Sequence, residues 1–177
     1  MSKRDDRRAV RRQGRHEPAL PELLKRDIAL VTARAMSMGV ASREAVTYGL
    51  TEVLGPRARS QAQPGERMDT EGIVSLPRVS PGRSHRWDAD DAYMVLTDKA
   101  IIWASNGGEA ARIPLDTVRY AGIDQAGVVK IAVGLSGSQL EEQLFFFGGR
   151  GEIAPLRGAV LAAVGKRVAI EDYRPGR

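Results

Sequence analysis

The stretch that decides the fold is AYMVLTDKAIIWAS, residues 92–105. Two apolar runs, Tyr93 to Leu96 and Ile101 to Trp103, flank the polar pair Asp98-Lys99. Short runs rich in β-branched and aromatic residues around a polar turn predict a β-hairpin. Asn106-Gly107-Gly108 supplies the next turn, because asparagine and glycine tolerate the positive φ of tight turns. Working outward, Ala111 to Val118 reads as a further strand edged by Pro114. Val128 to Val133 reads as another, followed by a turn at Leu135 to Ser138 and a returning strand from Leu140 to Phe147. Side chains alternate across a strand, so consecutive Phe145, Phe146 and Phe147 imply cover on both faces. Upstream, Gly72 to Val79 and Arg86-Trp87 offer one or two more strands.

Beyond Gly148-Gly149, Ile153, Leu156, Val160, Leu161, Val164 and Val168 share one face of a predicted helix, with Pro155 in its first turn. Fully burying one Leu or Val is worth about 1.5–3 kcal/mol. A stripe of this length must therefore dock on something large, and the preceding sheet is the candidate of matching size.

Before the β region, residues 55–65 carry two prolines and two glycines and read as a linker. Upstream of that, 20–54 reads as a helical hairpin. Pro21 opens it, and Leu24, Ile28, Val31 and Ala35 form a face. Gly39 stops the first helix and Ser42 is placed to cap the second. Val46, Leu50, Val53 and Leu54 continue at helical spacing until Gly55-Pro56.

The net charge is +5, and residues 1–15 alone account for it through Lys3, Arg4, Arg7, Arg8, Arg11, Arg12 and Arg15 against Asp5 and Asp6. The rest of the chain is formally neutral. Residues 1–19 lack apolar periodicity and read as a disordered basic tail; 171–177 read as a second disordered tail. A basic tail is drawn to phosphate, so these seven side chains are candidate contacts for nucleic acid or an anionic membrane surface. The chain has no cysteine, which excludes disulfides and thiolate chemistry and fits a cytoplasmic protein. No apolar run reaches the roughly 18–20 residues of a membrane span.

The sequence offers little for catalysis. His16 and His85 have no partner at ligand or triad spacing. Asp88-Ala89-Asp90-Asp91 lacks the spacing of a calcium loop and reads as a solvated acidic loop. Gly148-Gly149-Arg150-Gly151 lacks a P-loop lysine. Ser136 sits outside any nucleophile elbow, and adjacent Glu141 and Glu142 point to opposite faces of a strand. Trp87 and Trp103 are candidate stacking platforms, with Trp103 better placed as core. The expectation is a non-enzyme with no cofactor and no metal.

Several short antiparallel strands followed by one amphipathic helix resemble the pleckstrin-homology-like superfold, in its bacterial, GRAM-type branch. Pro64-Gly65-Glu66, the run Val95-Leu96-Thr97-Asp98-Lys99-Ala100-Ile101-Ile102-Trp103 and the run Arg112-Ile113-Pro114-Leu115-Asp116-Thr117-Val118 carry the likeness, which spans about 64–168. It implies an α+β protein: a PH-like, partly open antiparallel β-barrel over 66–170, capped by its C-terminal helix and preceded by the helical hairpin. It also implies a non-catalytic adaptor that engages a protein partner or a membrane surface. Lipid-binding members hold headgroups with basic residues between the first two strands. Here Arg78, Arg83 and Arg86 are candidate contacts in that loop, but Asp88, Asp90 and Asp91 beside them argue against a phosphoinositide.

Residues 20–54 are similar to the helical part of ribbon-helix-helix proteins. This implies an alternative, DNA binding through the basic tail and helix pair. The competing reading is a helical hairpin that packs on the β domain or self-associates into a homo-oligomer.

Overall fold

The structure, a computed structural model, describes residues 18–78, 88–123, 129–134, 140–141, 154–166 and 170–172. Two helices come first, α1 (Leu20–Ser37) and α2 (Ser42–Arg59). Four strands follow: β1 (Met68–Arg78), β2 (Asp88–Thr97), β3 (Ala100–Ser105) and β4 (Ala110–Pro114). A 3-10 turn, Leu115–Thr117, leads to β5 (Val118–Ile123), β6 (Val129–Gly134) and β7 (Leu140–Glu141). Helix α3 (Ala154–Gly165) and strand β8 (Ile170–Asp172) complete the order. The fold is mixed α+β.

The first sheet runs β1-β2-β3-β4 and is antiparallel throughout. The second runs β7-β6-β5-β8, with β8 parallel to β5. Parallel β8 departs from the all-antiparallel arrangement expected, and it takes Glu171 and Asp172 out of the stretch read as a tail. Three residues with two acids carry no strand pattern; Ala121, Gly122 and Ile123 of β5 supply the partners.

The strand expected over Ala111 to Val118 breaks at Pro114. Proline has no N–H to continue the ladder. Thr117 Oγ1 donates to the Pro114 carbonyl at 2.7 Å, and the Leu115 N–H bonds Lys99 O at 2.8 Å. This corner carries the chain from one sheet to the other, with Leu115 and Val118 both buried. Asp88–Asp91, expected as a loop, forms the start of β2 opposite Arg78 to Ser75. Cross-strand hydrogen bonding outweighs the poor strand preference of aspartate.

All six residues of β3 are buried, because both faces of the first sheet are covered. On one face Met94, Leu96, Ile101 and Trp103 join Ile131 of β6 and Leu156, Val160 and Val164 of α3. The expected stripe thus docks on the sheets; Ile153, Val168 and Leu144 to Phe147 lie outside the described residues. On the other face Tyr93, Val95, Ile102 and Ala104 join Leu24, Leu50, Leu54 and Ala58 of the helical hairpin. The hairpin therefore closes a second core on the opposite face of the same sheet.

That second face explains why α2 outruns its expected end at Gly55-Pro56. Pro56 forfeits one helical hydrogen bond, yet the helix continues to Arg59. Fully buried Ala58 and an ion pair made by Arg59 hold the last turn. Residues 55–59 are helix, and the linker begins after them. The N-cap of α2 is Ala41, with no side-chain cap, so Ser42 does not play the expected role. Gly39 does, at φ +90: the Val40 N–H bonds Ala35 O at 3.1 Å and the Gly39 N–H bonds Met36 O at 3.0 Å, a Schellman ending of α1.

Small residues set the distance between the helices. Ala35, Ala45 and Gly49 are buried at the crossing. A Cβ at Gly49 would meet Thr32 Oγ1 and lie 2.9 Å from the Ile28 carbonyl. Gly49→Val must push α1 off α2, and overpacking of this kind costs about 1–3 kcal/mol. Urea denaturation should show a lower midpoint, whereas Gly39→Ala should act only through its positive φ.

The residues that carry the likeness to the GRAM-type pattern bond to one another. Glu66, whose side chain is fully buried, pairs with Arg112 of β4 and accepts from Thr97 Oγ1 at 3.4 Å. Thr97 Oγ1 itself accepts from the Lys99 and Ala100 N–H groups at 3.1 and 2.8 Å, and Asp98 Oδ1 accepts from the Arg67 N–H at 3.0 Å. The Gly-Glu and Leu-Thr-Asp-Lys elements are a clasp around the β2–β3 turn.

Candidate functional site

Leu50, Leu54 and Ala58 of α2 press on the sheet, while Val46, four residues before Leu50, remains 44% exposed. The sequence reading put Val46 on the buried face; the structure places it at the mouth of an open wedge. A cleft of about 560 Å³ results. One wall is Arg43, Val46, Thr47, Leu50 and Thr51 of α2; the other is Glu71 to Ser75 of β1 with Asp91 and Tyr93 of β2.

The register builds the strand wall. Ser75 pairs with Asp91 and Ile73 with Tyr93, so Glu71, Ile73, Ser75, Asp91 and Tyr93 share the face turned to the hairpin. Gly72 turns the other way, where its Cβ position lies 3.5 Å from Leu156 of α3.

Most polar groups of the cleft are committed to one another. Arg59 donates to both Glu71 oxygens, at 3.0 and 2.9 Å, and to Tyr93 Oη at 3.0 Å. Its guanidinium also lies 5.3 Å from the Tyr93 ring centre. The hydrogen bonds from Arg59 hold the Glu71 carboxyl below the usual range, and those to Glu71 raise Arg59. Burial first, then Glu71, pushes the Tyr93 hydroxyl up to about 12. Thr47 and Thr51 donate to the carbonyls of Arg43 and Thr47 at 3.2 and 2.9 Å. Ser75 Oγ donates to Asp91 Oδ1 at 3.0 Å. Glu71 is a poor base with both oxygens engaged, Tyr93 a poor nucleophile with its proton held tightly, and Ser75 has only a carboxylate beside it. This chemistry suits holding a ligand.

The raised Tyr93 value has a consequence for stability. An unfolded tyrosine ionises near 10, so between about 10 and 12 the unfolded chain loses a proton the folded chain keeps, and stability falls as pH rises through that window. Ultraviolet difference titration should show one tyrosine ionising near 12, and Tyr93→Phe should remove both that step and part of the alkaline slope.

Lys3, Arg4, Arg7, Arg8, Arg11, Arg12 and Arg15 lie outside the described residues, as do Arg83, Arg86, Trp87, His16 and His85. Arg78 ends β1 opposite Asp88. Trp103 is buried in the core. The cleft residues went unnoticed, although polar Glu71 and Ser75 alternating with Val74 and Leu76 mark one face of β1 as partly open. The cleft itself had no sequence signal, because it depends on how α2 packs on the sheet.

Six of the seven exposed large apolar side chains among the described residues, Leu20, Leu30, Met36, Met38, Val46 and Tyr48, lie on the helical hairpin.

No protein-family model matches the chain, and no curated protein does. Among solved structures it is similar to the hSac2 domain from human phosphoinositide phosphatase Sac2, at 12% identity and a TM-score of 0.42, over 70% of this chain and 91% of that one. Among the described residues, no helix is long and apolar enough to cross a membrane and no cluster of potential metal ligands occurs.

Proposed function

We propose that the chain is a non-catalytic adaptor that engages a protein partner through the cleft between α2 and β1. The observation that carries this reading is the wedge itself: apolar walls from Val46, Leu50 and Ile73, set among polar groups already bonded to one another. In this reading the β unit is a PH-like, partly open barrel. A four-stranded antiparallel sheet that turns a corner at Pro114 into a second sheet, with α3 seated between them, supports it; parallel β8 is an addition to that plan. The helical hairpin is then the specialised element, converting one sheet face into a docking groove. A chain without cysteine fits work in the cytoplasm.

A photo-crosslinking residue at Val46 of the full chain, with one at Glu109 as control, tests this reading. Irradiation in the cells of origin should give a discrete protein adduct from position 46 and none from 109. Adducts only to lipid, only to nucleic acid, or only to a second copy of the chain would each overturn the adaptor reading, as would an absence of adducts.

A further inference from the structure

Among the described residues, Asp91 is the carboxylate of the cleft that has no ion pair. Asp91 sits partly buried on the strand wall, and its Oδ1 accepts from Ser75 Oγ at 3.0 Å. Glu71, the other carboxylate in the cleft, is neutralised by a two-pronged contact from Arg59. Among the described residues, no ion pair compensates Asp91 in the same way. Arg43 lines the opposite wall but on the exposed first turn of α2, with no contact to Asp91 among the described hydrogen bonds and ion pairs. A carboxylate held by one neutral hydroxyl in a half-enclosed cleft keeps acceptor capacity, and a charge-assisted hydrogen bond there is roughly twice as strong as a neutral one. Val46, Leu50 and Ile73 supply an apolar surface in the same cleft.

We infer that the partner segment carries a Lys or Arg side chain next to a branched apolar one. The cation meets Asp91 beside Ser75, and the apolar group enters between Val46 and Ile73. This inference rests on the proposed cleft reading and adds the chemistry of the ligand. Charge complementarity decides it: an apolar or acidic segment would desolvate Asp91 without replacing the lost water, a neutral donor would replace it with a weaker hydrogen bond, and an acidic segment would also face Glu71. The spacing favours a short segment, since a cleft of about 560 Å³ holds a few side chains.

The test uses a phage-displayed random decapeptide library selected against the immobilised full chain, with clones measured by fluorescence polarisation as synthetic peptides. Val46→Asp reports whether binding is in the cleft, and Asp91→Asn, which keeps an acceptor for Ser75, reports the charge. Enriched peptides should carry Lys or Arg beside Leu, Ile or Val, and lose at least tenfold in affinity with Asp91→Asn and with Val46→Asp. Replacing the basic residue by Gln in the peptide should give a similar loss on the parent chain and little further loss on Asp91→Asn. Enriched peptides that need Val46 but carry no basic residue, or ignore Asp91→Asn, would overturn this inference and leave the cleft reading standing. Peptides indifferent to Val46→Asp, or no enrichment, would overturn both.

Discussion

Leu54→Ala should destabilise the protein by about 2–5 kcal/mol, the range for removing a buried Leu side chain and leaving a cavity. Leu54 is fully buried, and it sits in the cluster that joins the helical hairpin to Val95 and Ile102 of the sheet. Its loss strikes the seam between the two parts of the chain, where the spread in cost depends on how far the walls can close. Ala58 and Ala100 beside it are already small, so little material is available to refill the space. Were the hairpin an appendage on a flexible connection, the same substitution would leave the β unit's stability untouched. Chemical denaturation followed by tryptophan fluorescence decides this, because Trp103 lies on the opposite face of the same sheet. One transition at lower denaturant supports a shared core; an unshifted Trp103 transition contradicts it.

Arg112→Met should be at least as damaging, at about 3–5 kcal/mol, the cost of stranding one member of a buried ion pair. Glu66 has no exposed side-chain surface and Arg112 only 18%. Removing the guanidinium leaves the carboxylate with a single hydroxyl neighbour, Thr97. The double variant Glu66→Gln/Arg112→Met should recover most of the loss, because an amide is far cheaper to bury than a charge and apolar replacement of a whole pair is often neutral. Equilibrium unfolding of the two singles and the double closes the cycle. A strictly additive double variant would show that the clasp around the β2–β3 turn is not a coupled unit.

Much of the fold was legible because it is written in periodicity. The β2–β3 hairpin, the Asn106-Gly107-Gly108 turn, the Gly39 ending of α1 and the docked stripe of α3 each follow from local chemistry. The misses share a cause: tertiary contacts overrode local preference. Buried Ala58 and paired Arg59 carried α2 through Pro56. Cross-strand pairing drew Asp88–Asp91 into β2, and β5 captured Ile170–Asp172. The cleft was less legible than the fold. Its residues belong to ordinary helix and strand patterns, and only tertiary packing separates exposed Val46 from buried Leu50 on what looks like one face.

Where a ligand sits separates the cleft from every other surface of the protein. Backbone amide shift mapping of the full chain with a selected decapeptide measures this directly. The changes should fall on 43–51 of α2 and on 71–75, 91 and 93 of the sheet, with α3 silent. Changes confined to 154–165, or to the β3–β4 turn, would contradict the assignment of the cleft as the docking site.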